Sequence, residues 1–190
     1  MLLKTRHFGE IEIDENKIIR FDGGLPGFNN VRQFIILETE PDEGLDNKSS
    51  GGLDNKPDAE PHTTESSEER NSGSPFKWLQ CVDDPMLAFA IANPFLLKPD
   101  YDVKLSDEVV EHLEIKKEVD VAIYTIVVVP EDITKMTMNL KAPLVINVRN
   151  KKGVQAILDT EEYSIRHHIM SSISNKAVDN TVNEAAGQEV

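Results

Sequence analysis

Few side chains in this chain are of types that do covalent or metal chemistry, and their spacing suits it poorly. The single cysteine, Cys81, lies in an apolar, strand-like run with no His or Lys beside it. A reactive thiolate needs a cationic neighbour of that kind, so Cys81 reads as a small buried residue. His167 and His168 are adjacent. Adjacent side chains diverge on a regular element, and zinc pairs usually stand further apart. His7, His62 and His112 have no ligand partner in sequence. Asp83-Asp84-Pro85 supplies two carboxylates, the raw material of a metal site or an acid–base pair. Two acids before a proline read more simply as a turn after a strand, and as an exposed acidic knob for a basic partner. Gly23-Gly24-Leu25-Pro26-Gly27-Phe28 is glycine-rich but lacks the Lys-Ser/Thr ending of a phosphate loop and opens no helix. It reads as a tight loop with positive φ angles and Phe28 anchored inward. No catalytic, cofactor or metal residue is assigned.

Aromatic side chains offer contact chemistry instead. Trp78, Phe95 and Tyr101 are potential partner anchors, because aromatics dominate interface energetics. Trp78 lies in a strand-like run and reads as core. Phe95 stands between Pro94 and Leu96 in an irregular apolar stretch closed by Pro99, which suits a partly exposed patch.

Charge narrows the partner. The 190 residues carry a net charge of −14. A surface that negative repels phosphate backbones and anionic lipid, so direct nucleic-acid and membrane binding are disfavoured. It attracts basic proteins and speeds encounter with them. One cysteine permits no internal disulfide and fits a reducing compartment. The opening apolar run is too short for a signal peptide, and no stretch approaches the roughly 20 apolar residues that span a bilayer. The expected location is cytoplasmic.

The elements that must position these residues are mainly strands. Short apolar runs cover Leu2–Arg6, Ile11–Ile13, Lys17–Phe21, Gln33–Glu38, Phe76–Val82 and Leu87–Ala92. Further runs cover Asp120–Val129, Met136–Leu140, Pro143–Val148 and Val154–Leu158. Many short strands with turn residues between them predict a mainly β, compact, barrel-like domain of antiparallel strands. Asp120–Val129 is the strongest strand. Both its faces are apolar toward the C-terminal end, which predicts cover on both sides there. One short helix is expected from Ser106 to about Leu113, with Ser106 as its cap and Asp107 and Glu108 in its first turn.

The domain is expected to span residues 1–170, with an acidic insert at 42–74 and a polar, flexible tail at 171–190. The insert holds nine acids and three bases, a net of −6, and repeats Leu-Asp-Asn-Lys at Leu45 and Leu53. It has almost nothing to bury, so it reads as a disordered passenger loop.

Together the residues resemble a known family. Gly24-Leu25-Pro26-Gly27-Phe28 is followed by Trp78-Leu79-Gln80, Val82-Asp83-Asp84-Pro85, Asn93-Pro94-Phe95 and Pro99-Asp100-Tyr101. Then come Leu105-Ser106-Asp107-Glu108, Val129-Pro130-Glu131-Asp132, Met136-Thr137-Met138-Asn139-Leu140 and Ala142-Pro143-Leu144-Val145-Ile146-Asn147. Ile157-Leu158 and Tyr163-Ser164-Ile165-Arg166-His167 close the series. Their order and spacing from Leu3 to His167 resemble the FliW family of bacterial flagellar assembly factors. The resemblance implies a barrel-like fold, no enzymatic activity and no cofactor. It implies two protein partners, the RNA-binding repressor CsrA and flagellin. Flagellin held in the cytoplasm would occupy the protein; once flagellin is exported, the freed protein would bind CsrA and relieve its block on flagellin translation. The chain is expected to be monomeric when free.

The CsrA contacts expected here are Asp83, Asp84, Asp100, Asp102 and Asp107, beside Phe95 and Tyr101, which cluster in irregular connections. Two rivals remain open. One is a flagellin chaperone with no translational role. The other is a small-ligand-binding β-barrel or hydrolase, which would need a pocket with converging polar groups.

Overall fold

Period-two alternation places successive side chains on opposite faces of a strand, and along β5, β6 and β9 the chain buries or half-buries both faces. The structure, a computed structural model, describes residues 1–38 and 74–170. The insert expected at 42–74, apart from Ser74, and the tail at 171–190 lie outside the described residues.

The elements run β1 (Leu2–Thr5), β2 (Gly9–Glu12), β3 (Ile19–Arg20), β4 (Gln33–Glu38), β5 (Phe76–Cys81) and β6 (Ala88–Ala92). They continue with α1 (Pro94–Leu97), α2 (Asp107–His112), β7 (Val121–Val128), β8 (Thr137–Met138), β9 (Leu144–Asn147), β10 (Gly153–Gln155) and β11 (His167–His168). β1 and β2 form a hairpin of their own, and the other nine strands form one sheet in the path β10-β9-β7-β6-β5-β4-β3, with β8 paired to β7 and β11 paired to β8. All the strand pairings are antiparallel.

The sheet is barrel-like but not closed by a strand pairing. Its two edges meet at a single parallel bridge between Arg20 and Lys152. There the Arg20 N–H donates to Lys151 O at 2.8 Å. Gly153 makes this seam possible, because a Cβ at that position would lie 2.7 Å from Cζ of Phe21. Inside the curve, Phe21, Phe34, Leu79, Ile91, Leu144 and Ile146 form the main core. The opposite faces of the same strands are covered separately. The β1–β2 hairpin packs Leu3 and Ile13 on Ile35 of β4. α1 and the C-terminal segment cover Val127 and Met138 with Leu97, Tyr101, Tyr163 and Ile169. The end of α2 lays Leu113 on Val145.

Three expectations need correction. The stretch around Phe95 is a second short helix, α1. Asn93 caps it, its Oδ1 accepting the Phe95 N–H at 3.1 Å, and Pro94 brings a preset φ to the first turn. The C-terminal end of β7 is not covered on both sides, for Val128 and Val129 are 59% and 55% exposed. Cover there falls on one face only, where Thr125 and Val127 are buried, while Val128 on the opposite face and Val129 at the strand's end meet solvent. Phe28 does not point inward; it is 38% exposed and stands edge-on to Phe89 at 5.2 Å. The left-handed φ angles of Gly24 (+69°) and Gly27 (+84°) frame a turn that sends Leu25 inward instead. One element was not expected: His167 and His168 form β11, a strand too short to show periodicity, paired with Met138 and Thr137.

Candidate protein-interaction surface

The first locus is the turn between β5 and β6. Gln80 is wholly buried, and its Nε2 donates to the carbonyls of Cys81 (3.0 Å), Leu87 (3.1 Å) and Asp84 (3.2 Å). The Asp84 carboxylate accepts the Met86 N–H at 2.9 Å, and Pro85 O accepts the Arg6 N–H at 2.9 Å. A turn gathered from inside in this way holds Asp83, Asp84 and Met86 outward, all three exposed. Behind it, Cys81 is fully buried, and burial pushes its thiol above the ordinary range, with backbone N–H groups at Asp84 and Asp83 opposing. Native protein should therefore resist a thiol-specific alkylating agent and react only after denaturation, the rate differing by at least about tenfold; mass spectrometry of both reactions checks this.

The second locus lies at the other end of β6. α1 turns Phe95 (41% exposed) and Leu96 outward and Leu97 inward. Phe95 rests against Tyr101, ring centres 5.8 Å apart, and Tyr101 stands at 4.8 Å, near edge-on, to Tyr163. Tyr101 is buried, and its hydroxyl donates to Leu140 O at 2.7 Å. The Asp102 N–H in turn donates to the Tyr163 hydroxyl at 2.9 Å. Two tyrosines therefore clamp the chain just where Asp100 and Asp102 emerge exposed. The Lys98 ammonium, 2.6 Å from Asp100 Oδ2, holds that carboxyl below the usual range. His167 lies close by. Its burial, with Lys98 and His168 adding to it and Asp100 opposing, lowers its proton affinity. Asp107 is exposed in the first turn of α2, whose cap is the expected one, with Ser106 Oγ accepting the Val109 N–H at 3.4 Å.

The structure thus divides the seven expected contact residues. It joins Phe95, Asp100, Tyr101 and Asp102, leaves Asp107 beyond the connecting segment, and sets Asp83 and Asp84 apart. The five residues of β6 separate the two loci, roughly 16 Å at strand rise. Tyr101 supports the surface from within instead of presenting itself. Sequence reasoning missed Glu118, Val121 and Ile123, which line a 370 Å³ groove with Phe95, Asp102 and Val103. Val121 and Ile123 belong to the face of β7 singled out by alternation, and that was the available signal. Trp78 is half-buried, stacked on His7 at 4.5 Å.

Among the described residues, no group of three or more His, Cys, Asp or Glu is arranged to hold a metal ion. No described helix is long and apolar enough to cross a membrane. The fold and its surface define a mainly β protein that presents carboxylates and an aromatic side chain on connections braced from within. A family model described as FliW protein matches residues 2–47 and 61–169, and the chain belongs to the FliW family of flagellar assembly factors. The flagellar assembly factor FliW of Alkaliphilus metalliredigens is 47% identical over 173 residues, covering 91% of this chain and 88% of the relative. That of Ruminiclostridium cellulolyticum is 42% identical over 178 residues, covering 94% and 100%. A crystal structure of the flagellar assembly factor FliW superposes with a TM-score of 0.68 at 33% identity, covering 89% of this chain and 96% of the other.

Proposed function

We propose that this protein acts by protein contact, binding the translational repressor CsrA and, in competition, flagellin, and so couples flagellin translation to export. The supporting observation is the exposed set Asp83, Asp84, Asp100 and Asp102, the first three on turns and Asp102 on the fixed segment that follows, with Phe95 exposed beside the last two. Carboxylates so placed steer a basic RNA-binding protein into encounter, and an adjacent aromatic supplies the desolvated anchor. Two proteins that compete for one regulator need no catalysis.

The test is a displacement assay with flagellin leader RNA bound to CsrA. Adding this protein should release the RNA, and adding flagellin should restore the RNA complex. Reversing both Asp83 and Asp84 to Lys should slow CsrA association about tenfold at low salt and flatten its salt dependence. RNA that stays on CsrA at saturating protein would refute the translational role. Flagellin binding without CsrA binding would then leave a flagellin chaperone.

A further inference from the structure

We infer that the segment joining α1 to α2 is an open strand edge that takes an extended, basic and apolar segment of the partner protein as an added strand. The inference rests on the protein-contact reading above and supplies the local chemistry of the partner.

Residues 101–106 run without a turn, bend or ladder partner. Asp102 and Lys104 are exposed while Val103 and Leu105 are half-buried, the alternation of a strand. Both ends of the segment are fixed, by the Asp102 N–H on the Tyr163 hydroxyl and by Ser106 O, which accepts the Val110 N–H at 3.1 Å. Between them, the N–H and C=O groups of Val103, Lys104 and Leu105 make no hydrogen bond among the described residues. A row of unpaired backbone groups held in place is a template for another strand. Being held already, it costs little more ordering on binding.

The surroundings choose the side chains of that strand. Along the segment lies the 370 Å³ groove to which β7 lends Val121 and Ile123 and α1 lends Phe95, within the size range of pockets that bury a ligand. Asp102 and Glu118 border it. A second, 110 Å³ cavity shares Asp102 and adds Asp159 and Glu162, with Lys104 as its one base. Four carboxylates against one ammonium call for Lys or Arg, and the apolar groove calls for large aliphatic or aromatic side chains. A strand meets both demands by alternating them. The acidic insert, with its net of −6, carries the wrong charge to be the occupant, and so does a second copy of a chain of net −14.

The experiment is amide hydrogen exchange by NMR on the full chain, free and saturated with CsrA or with flagellin. In one complex, protection should rise at least tenfold at alternate residues, at Lys104 or at both Val103 and Leu105. Glu118→Lys, a change at an exposed position, should weaken that complex at least tenfold. A complex that forms while these amides exchange as in the free protein overturns the strand edge and leaves the contact reading standing. Undiminished affinity in Glu118→Lys overturns the basic character of the segment. If neither partner binds, both readings fall together.

Discussion

Replacing Phe21 by alanine should destabilise the protein by about 3–5 kcal/mol, the cost of emptying a large aromatic site in a packed core. Phe21 is fully buried and edge-on to Phe34 at 5.5 Å. It also packs at the one place where the two sheet edges meet, beside the Arg20–Lys152 bridge. The reciprocal change, Gly153→Ala, should cost about 1–3 kcal/mol by overpacking, because the new methyl would lie 2.7 Å from the Phe21 ring. That ring is enclosed and cannot swing away. Shortening Phe21 to Leu should recover part of the Gly153→Ala loss, so the two changes should couple by about 1 kcal/mol in a double-mutant cycle measured by urea unfolding. Strict additivity would mean that the seam does not depend on this contact.

Tyr101 carries the second large effect. Tyr101→Phe leaves the carbonyl of Leu140 without its donor and should cost about 1–3 kcal/mol. Tyr101→Ala also removes the ring between Phe95 and Tyr163 and should cost about 3–5 kcal/mol. The two variants should differ in binding as well as in stability. The Phe variant keeps the platform under Phe95 and should retain partner affinity within about twofold, whereas the Ala variant should lose at least about tenfold while still folded. Burial, with Tyr163 adding to it, pushes the Tyr101 hydroxyl well above its usual range. The folded state therefore holds this proton more tightly than the unfolded chain does. The resulting stability is complete below the unfolded value of about 10 and is lost as pH rises through and beyond it. Tyr101→Phe should remove that alkaline loss, which urea titrations at pH 8 and pH 10.5 would show.

How far the sequence reads through to these residues varies from element to element. β4 appears at its full length, Gln33–Glu38, because its apolar residues serve two cores and leave an unbroken run. α2 appears with its cap, since Ser106 and two acids mark a helix start. α1 does not, because four residues cannot express a helical period, although Asn93-Pro94 is a fair start signal. β11 is specified by β8 across the fold and has no local pattern of its own. The largest gap concerns the surface. Nearness in sequence groups Asp83 and Asp84 with Asp100 and Asp102, but β6 is an extended strand and carries them apart. The groove is assembled from α1, the connecting segment and β7, and chain return of that kind leaves no trace in spacing.

The measurement that bears most directly on the proposed role is calorimetric titration of this protein into the CsrA of its own organism at low and at high salt. Tight binding that weakens as salt screens the carboxylates is the expected result, with Asp83→Lys/Asp84→Lys flattening the difference. Absence of binding at both salts would contradict the proposal that this protein relieves translational repression through CsrA.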